Sequence, residues 1–114
     1  MSFKPVASLV EVGEDPLPVT VSGDDGQEIR VAIVASDGEI FAIRDLCSHA
    51  RVSLSEGLVE DGCIECWLHG SRFDLRTGTA LNLPAIQAVP VYPVRIEGKQ
   101  ISVDVSNPKT ITSK

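Results

Sequence analysis

The chain is poor in several things at once, and each shortage removes a class of protein. Aromatic residues make up only 4% of its 114 residues, with one Trp, one Tyr and three Phe. No apolar run reaches the roughly 18 residues that a membrane-crossing helix needs, so no membrane association is expected. Positive charge is also scarce: 10 Lys and Arg against 16 Asp and Glu give a formal net charge of −6. Nucleic acids and anionic membranes demand a basic surface, and both are excluded as partners on that ground. The opening residues carry neither a basic start nor an uninterrupted apolar stretch of the secretory kind, which leads to the expectation of a soluble, cytoplasmic protein. Three cysteines, an odd number, make a disulfide framework improbable and leave metal binding or buried thiols.

What the chain does have is strand-forming material. A 43% hydrophobic content in 114 residues suffices for one domain with its own core and not for a separate substrate domain. Short β-branched and apolar segments recur at 3–7, 17–21, 28–34, 39–44, 64–66, 72–75, 91–96 and 101–105, and they read as strands. Turn signals separate them at Asp24-Asp25-Gly26, Ser36-Asp37-Gly38, Thr77-Gly78 and Glu97-Gly98, and the scattered prolines discourage helices. Period-two alternation at 29–33, 40–43 and 101–105 predicts an all-β fold. The stretch 45–70 is different. It shows little alternation yet holds all three cysteines and both histidines, so it looks inserted between strand 39–44 and the later hairpins. The polar end 106–114 reads as a loose tail.

Cys47-Ser48-His49, sixteen further residues, then Cys66-Trp67-Leu68-His69 supply two thiolates and two imidazoles in two tight pairs. A tetrahedral zinc ion suits a Cys2His2 set, but common zinc modules pair cysteine with cysteine and histidine with histidine. Here each pair is mixed. That arrangement suits a 2Fe-2S cluster in which one iron takes Cys47 and Cys66 and the other takes His49 and His69. Cys63 completes a nominal Cys-x-x-Cys with Cys66, but it lies in a strand-like run and reads as a small apolar residue near the core.

The boxes Cys47-Ser48-His49 and Cys66-Trp67-Leu68-His69-Gly70, followed by Ser71-Arg72-Phe73-Asp74 and Thr77-Gly78, resemble the Rieske family pattern. Ile40-Phe41-Ala42-Ile43 and Leu83-Pro84-Ala85 extend the likeness to about residues 28–105. The resemblance implies a single all-β domain spanning residues 1–105, in which a small loop-rich cluster-binding subdomain at about 45–83 is mounted on an antiparallel β-sandwich or barrel base formed by the rest. It also implies one 2Fe-2S cluster as cofactor, held through Cys47 and Cys66 on a buried iron and His49 and His69 on an outer one. Leu83-Pro84-Ala85 resembles the proline loop that covers the cluster. Around the ligands, Ser71 is expected to donate a hydrogen bond to sulfur, Trp67 to shield the site, and Arg51 and Arg72 are candidates for guiding a partner.

Membrane-bound relatives carry an additional cysteine in each cluster loop, whereas Val52 and Leu68 stand there in this chain. The resemblance is therefore to soluble ferredoxins of multicomponent oxygenases, which are not enzymes themselves but carry single electrons from a flavin-dependent reductase to a terminal oxygenase. A monomer is expected. Phe73 stands where high-potential relatives place a tyrosine, which implies a potential toward the low end of a range beginning at about −150 mV. Two other roles fit the same pattern: a ferredoxin of iron-sulfur cluster assembly, and the small subunit of an NADH-dependent nitrite reductase. The complete ligand set counts against the second.

Overall fold

A computed structural model of the chain describes residues 3–13, 15–23, 26–46, 52–68, 70–82, 88–106 and 108. Among the described residues, three antiparallel sheets carry the fold. Strands β2 (Leu17–Ser22), β3 (Glu28–Ser36), β4 (Glu39–Arg44) and β8 (Val91–Tyr92) form the middle sheet in the order β2-β3-β4-β8. On one side of it lie β1 (Lys4–Ser8), β9 (Val94–Glu97) and β10 (Gln100–Val103), ordered β1-β10-β9. The third sheet, β5-β6-β7, is short: Leu58–Glu60, Cys63–Glu65 and Arg72–Asp74.

Among the described residues two hydrophobic clusters join these sheets, and β3 separates them. Val31 and Ile33 point into a cluster with Ala42, Ile101 and Val103, while Ala32 and Val34 point into another with Ile43, Ile64, Phe73 and Val91. The alternation in 29–33 predicts one buried face, yet Val31, Ala32, Ile33 and Val34 are all buried. A strand covered on both faces reads as a continuous apolar run, and β3 is such a strand.

Local chemistry sets the connections. Asp37 (φ 53°) and Gly38 (φ 78°) make the two-residue turn between β3 and β4, the conformation that Asp-Gly favours in a tight hairpin. Asp61 (φ 52°) and Gly62 (φ 76°) repeat it between β5 and β6, creating a strand, β5, that the alternation of this stretch does not announce. The segment 91–96 reads as one strand in the sequence but divides at Pro93, which has no N–H to give a ladder. There the chain passes from β8 in the middle sheet to β9 in the outer one. Among the described residues no helix is long and apolar enough to cross a membrane.

Candidate metal centre

Of the four ligands expected from the sequence, the described residues include Cys66. Cys47, His49 and His69 lie outside them, as do Arg51 and Pro84. Cys66 follows β6 directly and is buried among Leu54, Ile64, Phe73 and Leu75. Period two along this strand places Ile64 and Cys66 on the buried face and leaves Cys63 and Glu65 on the outer one. The two cysteines of the Cys-x-x-Cys therefore lie on opposite faces, and both are free thiols, which argues against a dithiol pair. Cys63 is half-buried. Burial pushes its thiol above the ordinary range, and the charge of Asp74 adds to the effect against the opposing influence of Arg72.

After Cys66 the chain closes on itself. The Gly70 amide donates to the Cys66 carbonyl at 2.9 Å, and the Cys66 amide donates to the Ser71 carbonyl at 2.7 Å. Gly70 sits at φ +75°, where an L side chain would be strained, so the turn depends on glycine. Ser71 is fully buried next to it. Cys66 thus sits in an apolar core, on a turn held by its own backbone, with the histidine of its box three residues along the sequence. Two thiolates and two imidazoles in mixed pairs form the donor set that a Rieske cluster takes, and the environment of Cys66 fits it.

Asp45, two residues before Cys47, anchors the first box. Its carboxylate is fully buried and accepts from the Ser55 amide at 2.6 Å and from the Ser55 hydroxyl at 2.8 Å. The Asp45 amide donates to the Arg30 carbonyl at 2.9 Å, and the Arg30 guanidinium approaches the carboxylate at 3.6 Å. Asp45, the last but one described residue before Cys47, is thus fastened to β3 and to Ser55. Because the Arg30 side chain is 63% exposed, solvent screens that pair and the Ser55 bonds carry most of the effect. Asp45→Ala is expected to cost about 3 kcal/mol, and Asp45→Asn about 1 kcal/mol, in a thermal denaturation series.

The surroundings of Cys66 are uneven. Trp67 is 51% exposed, so half of the ring expected to shield the site is open, and its neighbour Leu68 is exposed as well. Arg72, a candidate for guiding a partner, is already engaged by Glu65 at 3.2 Å and Glu60 at 3.8 Å. Sequence reasoning missed Asp45 and Ser55. Asp45 stands at the strand end where the insertion begins, but nothing in the residue pattern pairs it with Ser55.

Comparison with known proteins places this architecture. The profile of the Rieske [2Fe-2S] domain matches residues 2–93. The anthranilate 1,2-dioxygenase ferredoxin subunit of Burkholderia cepacia is 42% identical over 103 residues, covering 90% of this chain and 92% of its own. The ferredoxin component of the naphthalene 1,2-dioxygenase system of Pseudomonas aeruginosa is 42% identical over 100 residues, covering 87% and 91%. Among solved structures, the ferredoxin of carbazole 1,9a-dioxygenase from Nocardioides aromaticivorans IC177 superposes with a TM-score of 0.79 at 34% identity, covering 91% of this chain and 98% of that one. This chain belongs to the Rieske [2Fe-2S] domain family, has one cluster of that type as its cofactor and, like its ferredoxin relatives, is an electron carrier rather than an enzyme.

Proposed function

We propose that the chain takes single electrons from a flavin-dependent reductase and delivers them to a terminal ring-hydroxylating oxygenase in the cytoplasm. The observation that carries this reading is the likeness, over nine-tenths of both chains, to the anthranilate 1,2-dioxygenase ferredoxin subunit. Within residues 1–105 the segment 45–83 holds the cofactor, through Cys47 and Cys66 on one iron and His49 and His69 on the other. When bound, the cluster supplies a site that stores one electron at little charge cost, because two of its ligands are neutral imidazoles.

The residues of the chain do the rest. Cys66 is withdrawn into the core, which keeps its thiolate from water. The turn 66–71 presents Trp67 and Leu68 to solvent, giving the ligand-bearing end an apolar surface on which another protein can exclude water. Phe73 is fully buried and brings no hydroxyl to the site, in keeping with a potential in the lower part of the Rieske range.

Reconstitution tests the proposal. A flavin-dependent ferredoxin reductase, NADH, the terminal oxygenase of a ring-hydroxylating dioxygenase system and its aromatic substrate should form hydroxylated product only when the chain is added. Turnover should saturate as its concentration rises. Product formation at the same rate without the chain contradicts the proposal, as does failure of the reduced chain to reoxidise in the presence of the oxygenase, substrate and oxygen.

A further inference from the structure

The side chain of Asn82 lies at an unusual junction. Residues 79–81 pair with β7: the Asp74 amide donates to the Thr79 carbonyl at 2.9 Å, Phe73 bridges Ala80, and the Leu81 amide donates to the Arg72 carbonyl at 2.8 Å. In a continued antiparallel ladder the Arg72 amide would return to the Leu81 carbonyl. Instead it donates to Asn82 Oδ1 at 2.6 Å. The other half of the same carboxamide, Nδ2, donates to the Gly70 carbonyl at 3.1 Å. Asn82 therefore grips the chain on both sides of Ser71, whose own carbonyl is held by the Cys66 amide. One amide side chain ends the ladder and fastens the turn that bears Cys66.

We propose that Asn82 is a positioning residue for the metal centre: by holding the Gly70 carbonyl and the Arg72 amide together it fixes the turn 66–71 and limits water around Cys66. The inference rests on the ligand set proposed above. A looser turn admits water, and water stabilises the more negative, reduced state. Removing the clamp thus raises the reduced fraction at a fixed ambient potential and opens the centre to chelators.

The test uses purified full-length protein with its cluster. For Asn82→Ala, iron and sulfide content at isolation should equal that of the unaltered protein. At the unaltered protein's midpoint, its reduced-to-oxidised ratio should rise about threefold or more, and loss of visible absorbance to a chelator should quicken about tenfold. Asn82→Asp keeps the acceptor for Arg72 but loses the donor to Gly70, and its chelator-driven loss should fall between the two. Thr79→Val removes the Thr77–Thr79 hydroxyl contact at 2.7 Å in the neighbouring turn and leaves Gly70 and Arg72 untouched, so it should match the unaltered protein on both readouts. An Asn82→Ala protein with unaltered ratio and chelator sensitivity overturns the proposal, and so does a Thr79→Val protein that shifts as far. If Asn82→Ala does not fold, an Asn82→Asp protein that loses its cluster at the unaltered rate overturns it equally. Cys66→Ala separates the two levels: a cluster retained there sinks the ligand set, whereas a cluster lost there beside an unaffected Asn82→Ala sinks the positioning role alone.

Discussion

Gly78→Ala is expected to lower the melting temperature of the cluster-bearing protein by more than about 15 °C, corresponding to about 4 kcal/mol for a domain of this size. Two penalties coincide at this position. Gly78 sits at φ +78° in the turn after β7, a conformation that costs an alanine about 1 kcal/mol or more. An added Cβ would also overlap the backbone carbonyl of Val89, which no side-chain rotation relieves. Relief requires moving the strand approach 88–90 away, and that breaks the bond from the Val89 amide to the Gly78 carbonyl at 2.9 Å. Val89 and Val91 belong to the same buried cluster as Cys66, so the damage spreads to the packing around that residue. Gly98→Ala provides the comparison. Gly98 has φ +62° with open space around its Cα, so only the backbone strain of about 1 kcal/mol applies. Equal losses for the two substitutions would show that close packing at Gly78 contributes nothing.

Cys66→Ala is expected to abolish the visible and paramagnetic signals of the cluster completely, while Cys63→Ala leaves iron content unchanged. The two cysteines are three residues apart and look interchangeable on paper. Their faces differ: Cys66 joins the buried cluster, and Cys63 lies beside Glu65 and Arg72 in an outward cleft with Gly70 and Asn82. A ligand lost from a cluster with no spare thiol on the correct face cannot be replaced. Under the same reading Cys47→Ala, His49→Ala and His69→Ala also lose the cluster. Iron analysis, sulfide analysis and the electron paramagnetic resonance spectrum of the reduced proteins check all five. A Cys63→Ala protein devoid of iron would reverse the assignment.

Much of the fold is readable from the residues. The Asp-Gly turn at 37–38 and the two strands beside it appear at nearly their predicted bounds, 28–34 against Glu28–Ser36 and 39–44 against Glu39–Arg44. The second Asp-Gly turn, at 61–62, carries the same signal, but its flanking strands β5 and β6 are three residues each, too short for alternation to register. The division at Pro93 is a tertiary event, since only the packing of two sheets requires the chain to change layers there. At the site, the paired boxes point to a 2Fe-2S cofactor because few residue types bind iron and their spacing is distinctive. The clamps made by Asp45 and Asn82 are invisible in one dimension. Each joins residues ten or more apart through ordinary polar side chains whose partners are set only once β3, β6 and β7 are assembled.

The central claim, a one-electron Rieske carrier of low potential, is tested most directly by an anaerobic redox titration followed by electron paramagnetic resonance. The protein should take up one electron for every two irons, show a Rieske-type signal only when reduced, and titrate as a single one-electron wave with a midpoint below zero. A colourless preparation containing zinc, or a midpoint well above zero, would contradict the account.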